Sequence, residues 1–301
     1  MTFKPQLACD AKDLSKLKFP LLMLTKIDGV RLLNVDGRAV GRSLKQYKNK
    51  AMTVYFSRPE LAGLDGELVY NDDITSDSLC RDTTSVVNTI KGECDVVWYC
   101  FDYLTDDTKH LPYKERHQKM VALVTQLNDP KIKFIGYETA YSAETVEQRY
   151  SDYLALGYEG IILRSVHGIH KDGRCTEKEQ AYLRIKPQSD KECVVLELIE
   201  AEENNNEATV NELGYAERSS HKANKSGKGM IGSMICRDYL TDSIMKVSAG
   251  KMTHKEREYY WNNPSEIVGQ LVKYRSMDVG VMDKPRFGRF ICFRAAEDLS
   301  E

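Results

Sequence analysis

Pro187 divides the sequence into two stretches of different texture, and a chain patterned this way has two separate cores to build. Before it, short apolar runs alternate with helical patterns. Leu21–Lys26 and Val30–Val35 read as strands, and Asp36-Gly37 supplies the turn of a hairpin that returns through Arg38–Arg42. Val96–Phe101 is almost continuously apolar, which suits a central strand covered on both faces. Met120, Leu123, Val124 and Leu127 fall at helical spacing, as do Val146, Tyr150 and Leu154, so both segments read as amphipathic helices. Gly157 ends the second helix. Gly160–Arg164 and Ala181–Lys186 are further short strands.

After Pro187 the pattern becomes mostly strands. Cys193–Ile199, Met230–Cys236, Ser243–Val247, Ile267–Tyr274 and Phe287–Phe293 read as five strands, with one helix over Thr253–Trp261. Five short strands and a helix suit a small Greek-key barrel of the OB type. Between Glu197 and Glu217 the sequence carries seven Glu and no Lys or Arg, which reads as a solvated loop or insertion. The 301 residues therefore form an α+β chain of two domains, 1–188 and 189–301, with the boundary near Pro187–Lys191 and no internal repeat.

Composition narrows the function classes. Lys+Arg 43 against Asp+Glu 45 leaves a net charge of -2, so any nucleic-acid partner must be held by local patches. Arg42, Lys45, Lys48 and Lys50 form one patch, with Tyr47 interleaved, and Lys222, Lys225 and Lys228 form another on a glycine-containing loop. Such patches suit phosphate backbones. No run is long and apolar enough to span a membrane, and the N-terminus carries no signal-peptide pattern. The eight cysteines have neither CxxC nor metal-ligand spacing and read as buried thiols of a reducing compartment. There is no phosphate loop of the G-x-x-x-x-G-K-[ST] type. Gly227-Lys228-Gly229-Met230-Ile231-Gly232 matches G-x-G-x-x-G but leads into a strand, so it reads as a barrel bend and not as a dinucleotide site.

The chemistry concentrates at Lys26-Ile27-Asp28-Gly29-Val30-Arg31, where a lysine ends one strand just before the next. A free lysine at pKa ~10.4 is almost wholly protonated at neutral pH, so a nucleophilic Lys26 is expected to need nearby cations or desolvation. An ordered series follows. Gly41-Arg42-Ser43 comes first, and Leu64-Asp65-Gly66-Glu67-Leu68-Val69 then sets two carboxylates around a glycine turn. Tyr99-Cys100-Phe101-Asp102-Tyr103-Leu104, Glu159-Gly160-Ile161-Ile162-Leu163-Arg164 and Leu183-Arg184-Ile185-Lys186-Pro187 complete it.

This order resembles the covalent nucleotidyltransferases: ATP-dependent DNA ligases, RNA ligases and mRNA capping enzymes. Gly227–Ser233, Lys246–Met252 and Arg286–Arg294 resemble the OB domain of ATP-dependent DNA ligases in particular, of the compact two-domain type common in bacteriophages. The resemblance implies an adenylation domain with an ATP-grasp-like fold, then an OB-fold barrel. It implies a monomeric cytoplasmic enzyme (in the host cell if viral) that seals nicks in double-stranded DNA with ATP and Mg2+ or Mn2+. Replication, repair and recombination would be its settings. Lys26 would take AMP as a phosphoramidate. Thr25, Arg31, Arg42, Glu67, Phe101, Arg184, Lys186, Arg286 and Arg294 would line the nucleotide site, with Arg31 and Arg42 on the nucleotide or the nick phosphate, Glu67 on the ribose and Phe101 stacked on adenine. Lys186 would meet the α-phosphate, and Arg286 and Arg294 the β- and γ-phosphates. Glu159, Glu67 and Asp28 would hold the metal. Leu24 stands where many relatives have Glu or Gln, Arg184 where they have Lys, and Gly288 where they have Pro. An RNA ligase or a GTP-using capping enzyme shares the lysine motif, and a non-catalytic nucleic-acid clamp could share the fold.

Overall fold

The computed structural model describes residues 3–277 and 285–294. The chain divides into two compact units, with the break between Lys186 and Pro187.

The first unit opens with β1 (Gln6–Leu7), β2 (Cys9–Asp10), β3 (Leu21–Lys26), β4 (Val30–Val35) and β5 (Arg38–Val40). Helix α1 (Lys50–Phe56), β6 (Leu64–Tyr70), helix α2 (Leu79–Asn88) and β7 (Val96–Tyr103) follow. Helix α3 (Tyr113–Leu127), β8 (Ile132–Phe134), β9 (Glu138–Ala140), helix α4 (Ala143–Ala155), β10 (Gly160–Ser165), β11 (Gly173–Arg174) and β12 (Tyr182–Ile185) complete it. Two five-stranded sheets result, in the orders β5-β4-β6-β7-β8 and β2-β12-β10-β3-β9. Most neighbours are antiparallel, while β7–β8 and β2–β12 run parallel.

Local chemistry explains these elements. Asp36 and Gly37 both take positive φ, 51° and 77°, the backbone of the tight turn that matches strand twist. The returning strand is shorter than expected and stops at Val40. Helix α4 starts where the Ser142 side chain accepts from the Thr145 amide, and it gives way to Gly157 at φ 88°. Trp98, Phe56, Leu64, Met120 and Val124 fill one core against the first sheet. Leu21, Met23, Ile161, Leu163 and Leu183 fill another against the second.

The second unit contains β13 (Ser189–Asn204), β14 (Ala208–Val210), β15 (Ala216–Arg218), β16 (Lys225–Asp238), β17 (Ile244–Ser248), helix α5 (His254–Asn262), β18 (Leu271–Met277) and β19 (Arg286–Phe293). Five of its strands close a barrel in the order β13-β16-β17-β19-β18 around Val195, Met234, Val247, Val272, Tyr274 and Phe290. Among the described residues no helix is long and apolar enough to cross a membrane.

Three expectations are corrected here. The acidic stretch is not a loop: residues up to Asn204 extend β13 along β16, and β14 pairs with β15 as a hairpin. Its glutamates are mostly solvated, so a ladder with one polar face carries them without charge compensation in sequence. Lys225 and Lys228 lie on β16 and only Lys222 precedes it, so the second basic cluster is not on a loop. Gly66 is not a turn. It sits mid-strand in β6, where a Cβ would fall 2.3 Å from the Tyr99 carbonyl oxygen, so the glycine lets β6 and β7 approach closely.

Candidate active site

Lys26 ends β3 opposite Gly160, the first residue of β10, and the Glu159 amide donates to the Lys26 carbonyl at 3.0 Å. Gly160 has φ 152°, and a Cβ there would lie 2.2 Å from the Ile185 carbonyl oxygen. Only glycine lets β10 press so closely on β12. That contact sets Glu159 and Lys186 on either side of the same small space. Lys26 Nζ donates to the Glu159 carboxylate, and Lys186 Nζ lies 3.8 Å from its other oxygen. Glu159 is nearly fully buried, and the two lysine side chains are 18% and 13% exposed, enough for a substrate to reach them.

Gly29 serves the next strand pair. A Cβ there would fall 2.4 Å from the Leu68 carbonyl, so the loop after Lys26 lies directly on β6. Arg31 consequently faces Glu67 across β4–β6. Its guanidinium makes a two-pronged pair with Asp65 at 2.5 and 2.6 Å, also donates to the Gln6 carbonyl at 3.4 Å, and lies 4.7 Å over the Phe101 ring. Tyr47 donates from Oη to the Arg31 carbonyl at 2.6 Å. It thus braces the site wall, although it stands in sequence among the basic residues of the patch. Arg42 is exposed, as are Lys45, Lys48 and Lys50.

The charges settle unlike the expectation. Burial alone would lower the Lys26 ammonium, but Glu159, Glu67 and Asp28 outweigh that and raise it. Lys26 is thus a protonated ion-pair partner of Glu159. Lys186 is the depressed lysine: burial, Arg184 and Lys26 lower it against the pull of Glu159. Burial pushes Glu67 up to about 7, opposed by Arg31 and Lys26. A phosphate entering this space meets two ammonium groups whose shared carboxylate it can displace.

Asp28, Glu67 and Glu159 do not form a joint metal cage, because among the described residues no three His, Cys, Asp or Glu side chains gather at metal-binding distance. Glu67 is the register partner of Arg31 and feels the charges of Arg31, Lys26 and Glu159. The donor set fits Mg2+ differently. This ion commonly takes one or two carboxylates and completes its shell with water and substrate phosphates, and Glu159 is placed to be that carboxylate.

Thr25 is paired with Ile161 at the same strand end. Arg184 lies on β12 two residues before Lys186 and pairs with Asp10 at 2.6 Å. In the second unit Arg286 starts β19 with its guanidinium 5.4 Å over Phe287, while Arg294 pairs with Glu192 at 3.4 Å. Sequence reasoning assigned no role to Asp65, Asp102 or Arg164. Asp102 is fully buried and accepts from Arg116 and Arg164 directly behind Phe101. The two arginines lie far from it in sequence, so its only sequence signal was a charge ending an apolar run.

A family model described as the ATP dependent DNA ligase domain matches residues 5–186. No curated protein matches the sequence significantly. Among solved structures, the Chlorella virus DNA ligase-adenylate is 25% identical with a TM-score of 0.55, over 99% of this chain and 100% of that one. A Lig E DNA ligase is 20% identical with a TM-score of 0.72, over 98% of this chain and 100% of that one, and shares the fold. The lysine motif, the strand contacts that surround it and the match across the whole first unit agree, and the chain belongs to the ATP-dependent DNA ligase family.

Proposed function

We propose that this chain seals nicks in double-stranded DNA through a lysyl-AMP intermediate, with 1–188 as its adenylation domain and 189–301 as its OB-fold domain. Lys26 Nζ, once deprotonated, attacks the α-phosphorus of ATP; a P–N bond forms and pyrophosphate leaves. A 5′-phosphate oxygen at the nick then attacks the same phosphorus and Lys26 departs as the amine. The 3′-hydroxyl finally displaces AMP, closing the phosphodiester. The observation that carries this reading is Lys26 held beside a nearly fully buried Glu159 and within reach of Lys186.

Each residue has a physical task in that sequence. Phosphate arrival releases Lys26 from Glu159, and Lys186 supplies positive charge where the α-phosphate gains negative charge. Glu67 would accept from ribose hydroxyls. Phe101, whose ring carries Arg31 over one face, would offer a flat apolar face to adenine. A bound Mg2+ or Mn2+ would neutralise phosphate charge, with Glu159 as its protein ligand. The exposed Arg42, Lys45, Lys48 and Lys50 suit the DNA backbone, and binding should weaken with salt. Sealing of a nicked duplex supplied with ATP and Mg2+ tests the reading. Ligated product is expected, and product formed equally well in excess EDTA would contradict the metal role.

Arg286 separates the steps. Pyrophosphate leaves only in the first, so a cation serving the β- and γ-phosphates is needed only there. Arg286→Ala is expected to slow Lys26–AMP formation by roughly 100- to 1,000-fold, the scale of one lost transition-state charge contact. A nick already carrying 5′-AMP should still be sealed at near wild-type speed. Equal losses in both single-turnover assays would place Arg286 in DNA engagement or barrel stability.

A further inference from the structure

The family pattern has lysine where this chain has Arg184, and the structure shows what accompanies the exchange. Asp10 and Arg184 are register partners across the parallel pair β2–β12, and the Ala11 amide donates to the Arg184 carbonyl at 3.0 Å. Arg184 Nε donates to Asp10 Oδ1 at 2.6 Å. Among the described residues Asp10 is the single ion-pair partner of Arg184. The residue just before that strand is also held, because Arg174 Nη1 donates to the Ala8 carbonyl at 2.6 Å.

We propose that Asp10 is a positioning residue for ATP binding, holding the Arg184 guanidinium by its Nε edge so that its remaining donors are presented to the nucleotide phosphates. This rests on the reading of Arg184 as a nucleotide-side cation. The chemistry explains why arginine works here with an aspartate beside it. A guanidinium is planar and can give one edge to a carboxylate while keeping other donors in a fixed direction. An ammonium is a point charge, and the same aspartate would draw it away from a phosphate. The direction of the Asp10 titration agrees: burial would raise its carboxyl, yet Arg184, Lys186 and Arg174 hold it below the ordinary carboxylate range. Arg184 also acts electrostatically on Glu159 and Lys186, so its placement is felt at the reacting centre.

The test measures the rate of lysyl-AMP formation against ATP concentration in the full chain, together with thermal unfolding. Asp10→Ala and Asp10→Asn are expected to raise KM for ATP about fivefold, the scale of a partly exposed charge pair. kcat should stay within about twofold and Tm within about 2 °C, because the pair is partly solvated. Asp10→Glu should recover most of the loss. In an Arg184→Ala background, Asp10→Ala should add nothing, since a positioning residue has no effect without the group it positions. The same fivefold loss in that background, or a Tm drop in step with the activity loss, would overturn the proposal. Arg184→Ala charging with AMP at the wild-type KM would overturn it as well, by removing the role of Arg184. Wild-type protein forming no adduct at all would point instead to failure of the ligase reading.

Discussion

Asp102→Ala should cost the first unit about 3–5 kcal/mol, the scale of removing one partner from a buried ion cluster. Asp102 has no solvent exposure. It accepts from Arg116 Nε and Nη2 at 2.8 and 3.0 Å, from Arg164 Nη2, and from the Tyr103 amide at 2.9 Å. Arg164 is packed between the Tyr182 and Tyr113 rings, 3.7 and 4.2 Å away, and donates to Gln6 Oε1 at 2.9 Å. Alanine would leave two buried guanidinium groups without the carboxylate they both contact. Against a total stability of about 5–15 kcal/mol that is a large share, and Tm should fall on the order of 10 °C. Phe101 is the preceding residue, and its carbonyl accepts from Tyr113 Oη at 2.8 Å, so the proposed stacking on adenine should suffer as well.

The same cluster has a defined pH dependence. Burial would raise the Asp102 carboxyl, but Arg164 and Arg116 outweigh it and hold the group well below the ordinary carboxylate range. A carboxylate depressed by folding stabilises the native state above its unfolded pKa of ~3.9, and that contribution disappears as pH falls from there toward the folded value. The stability gap between wild type and Asp102→Asn should therefore be full at neutral pH and shrink below about pH 4. Chemical denaturation of both proteins across that range is the check. A gap independent of pH would mean that the charge on Asp102 is not what stabilises the cluster.

Lys26→Arg should reduce AMP adduct formation by on the order of 1,000-fold or more, as loss of a covalent nucleophile does. Arginine can keep the ion pair with Glu159, so the fold should persist, but a guanidinium is not deprotonated in proteins and cannot form the P–N bond. Lys26→Ala removes the amine too, while leaving Glu159 with Lys186 alone. The two variants should thus be equally inactive and differ only in stability. Wild-type charging should quicken as pH rises, because three carboxylates hold the resting Lys26 protonated. Adduct at normal yield in Lys26→Arg would mean that another residue is the nucleophile.

The sequence made strand ends and close contacts legible where local chemistry dictates them. Lys26 closes an apolar run, Asp36-Gly37 can only turn, and Gly157 stops a helix. Glycines at positions 29 and 160 were visible as motif members, but the carbonyls they must avoid, Leu68 and Ile185, are known only from the folded strands. Charge balance was the least legible property. A nucleophilic Lys26 is expected to need nearby cations or desolvation, yet Glu159, Glu67 and Asp28 outweigh its burial and raise it, the first two brought in from distant segments. Arg116 and Arg164 reach Asp102 from separate elements, so no window of sequence contains the cluster. The acidic stretch misled for a related reason. A strand whose partner lies on β16 gains its hydrogen bonds from that partner, and its side chains can stay polar.

A covalent Lys26–AMP that is passed to DNA is the centre of the proposed mechanism. Incubating the chain with α-32P-labelled ATP or GTP, running a denaturing gel, and chasing the labelled protein with a nicked duplex measures that directly. Label from ATP and not GTP should remain on the denatured chain, depend on Lys26, and move to the DNA 5′-phosphate when the nick is added. Label retained from GTP alone, or an adduct that a nick does not discharge, would contradict it.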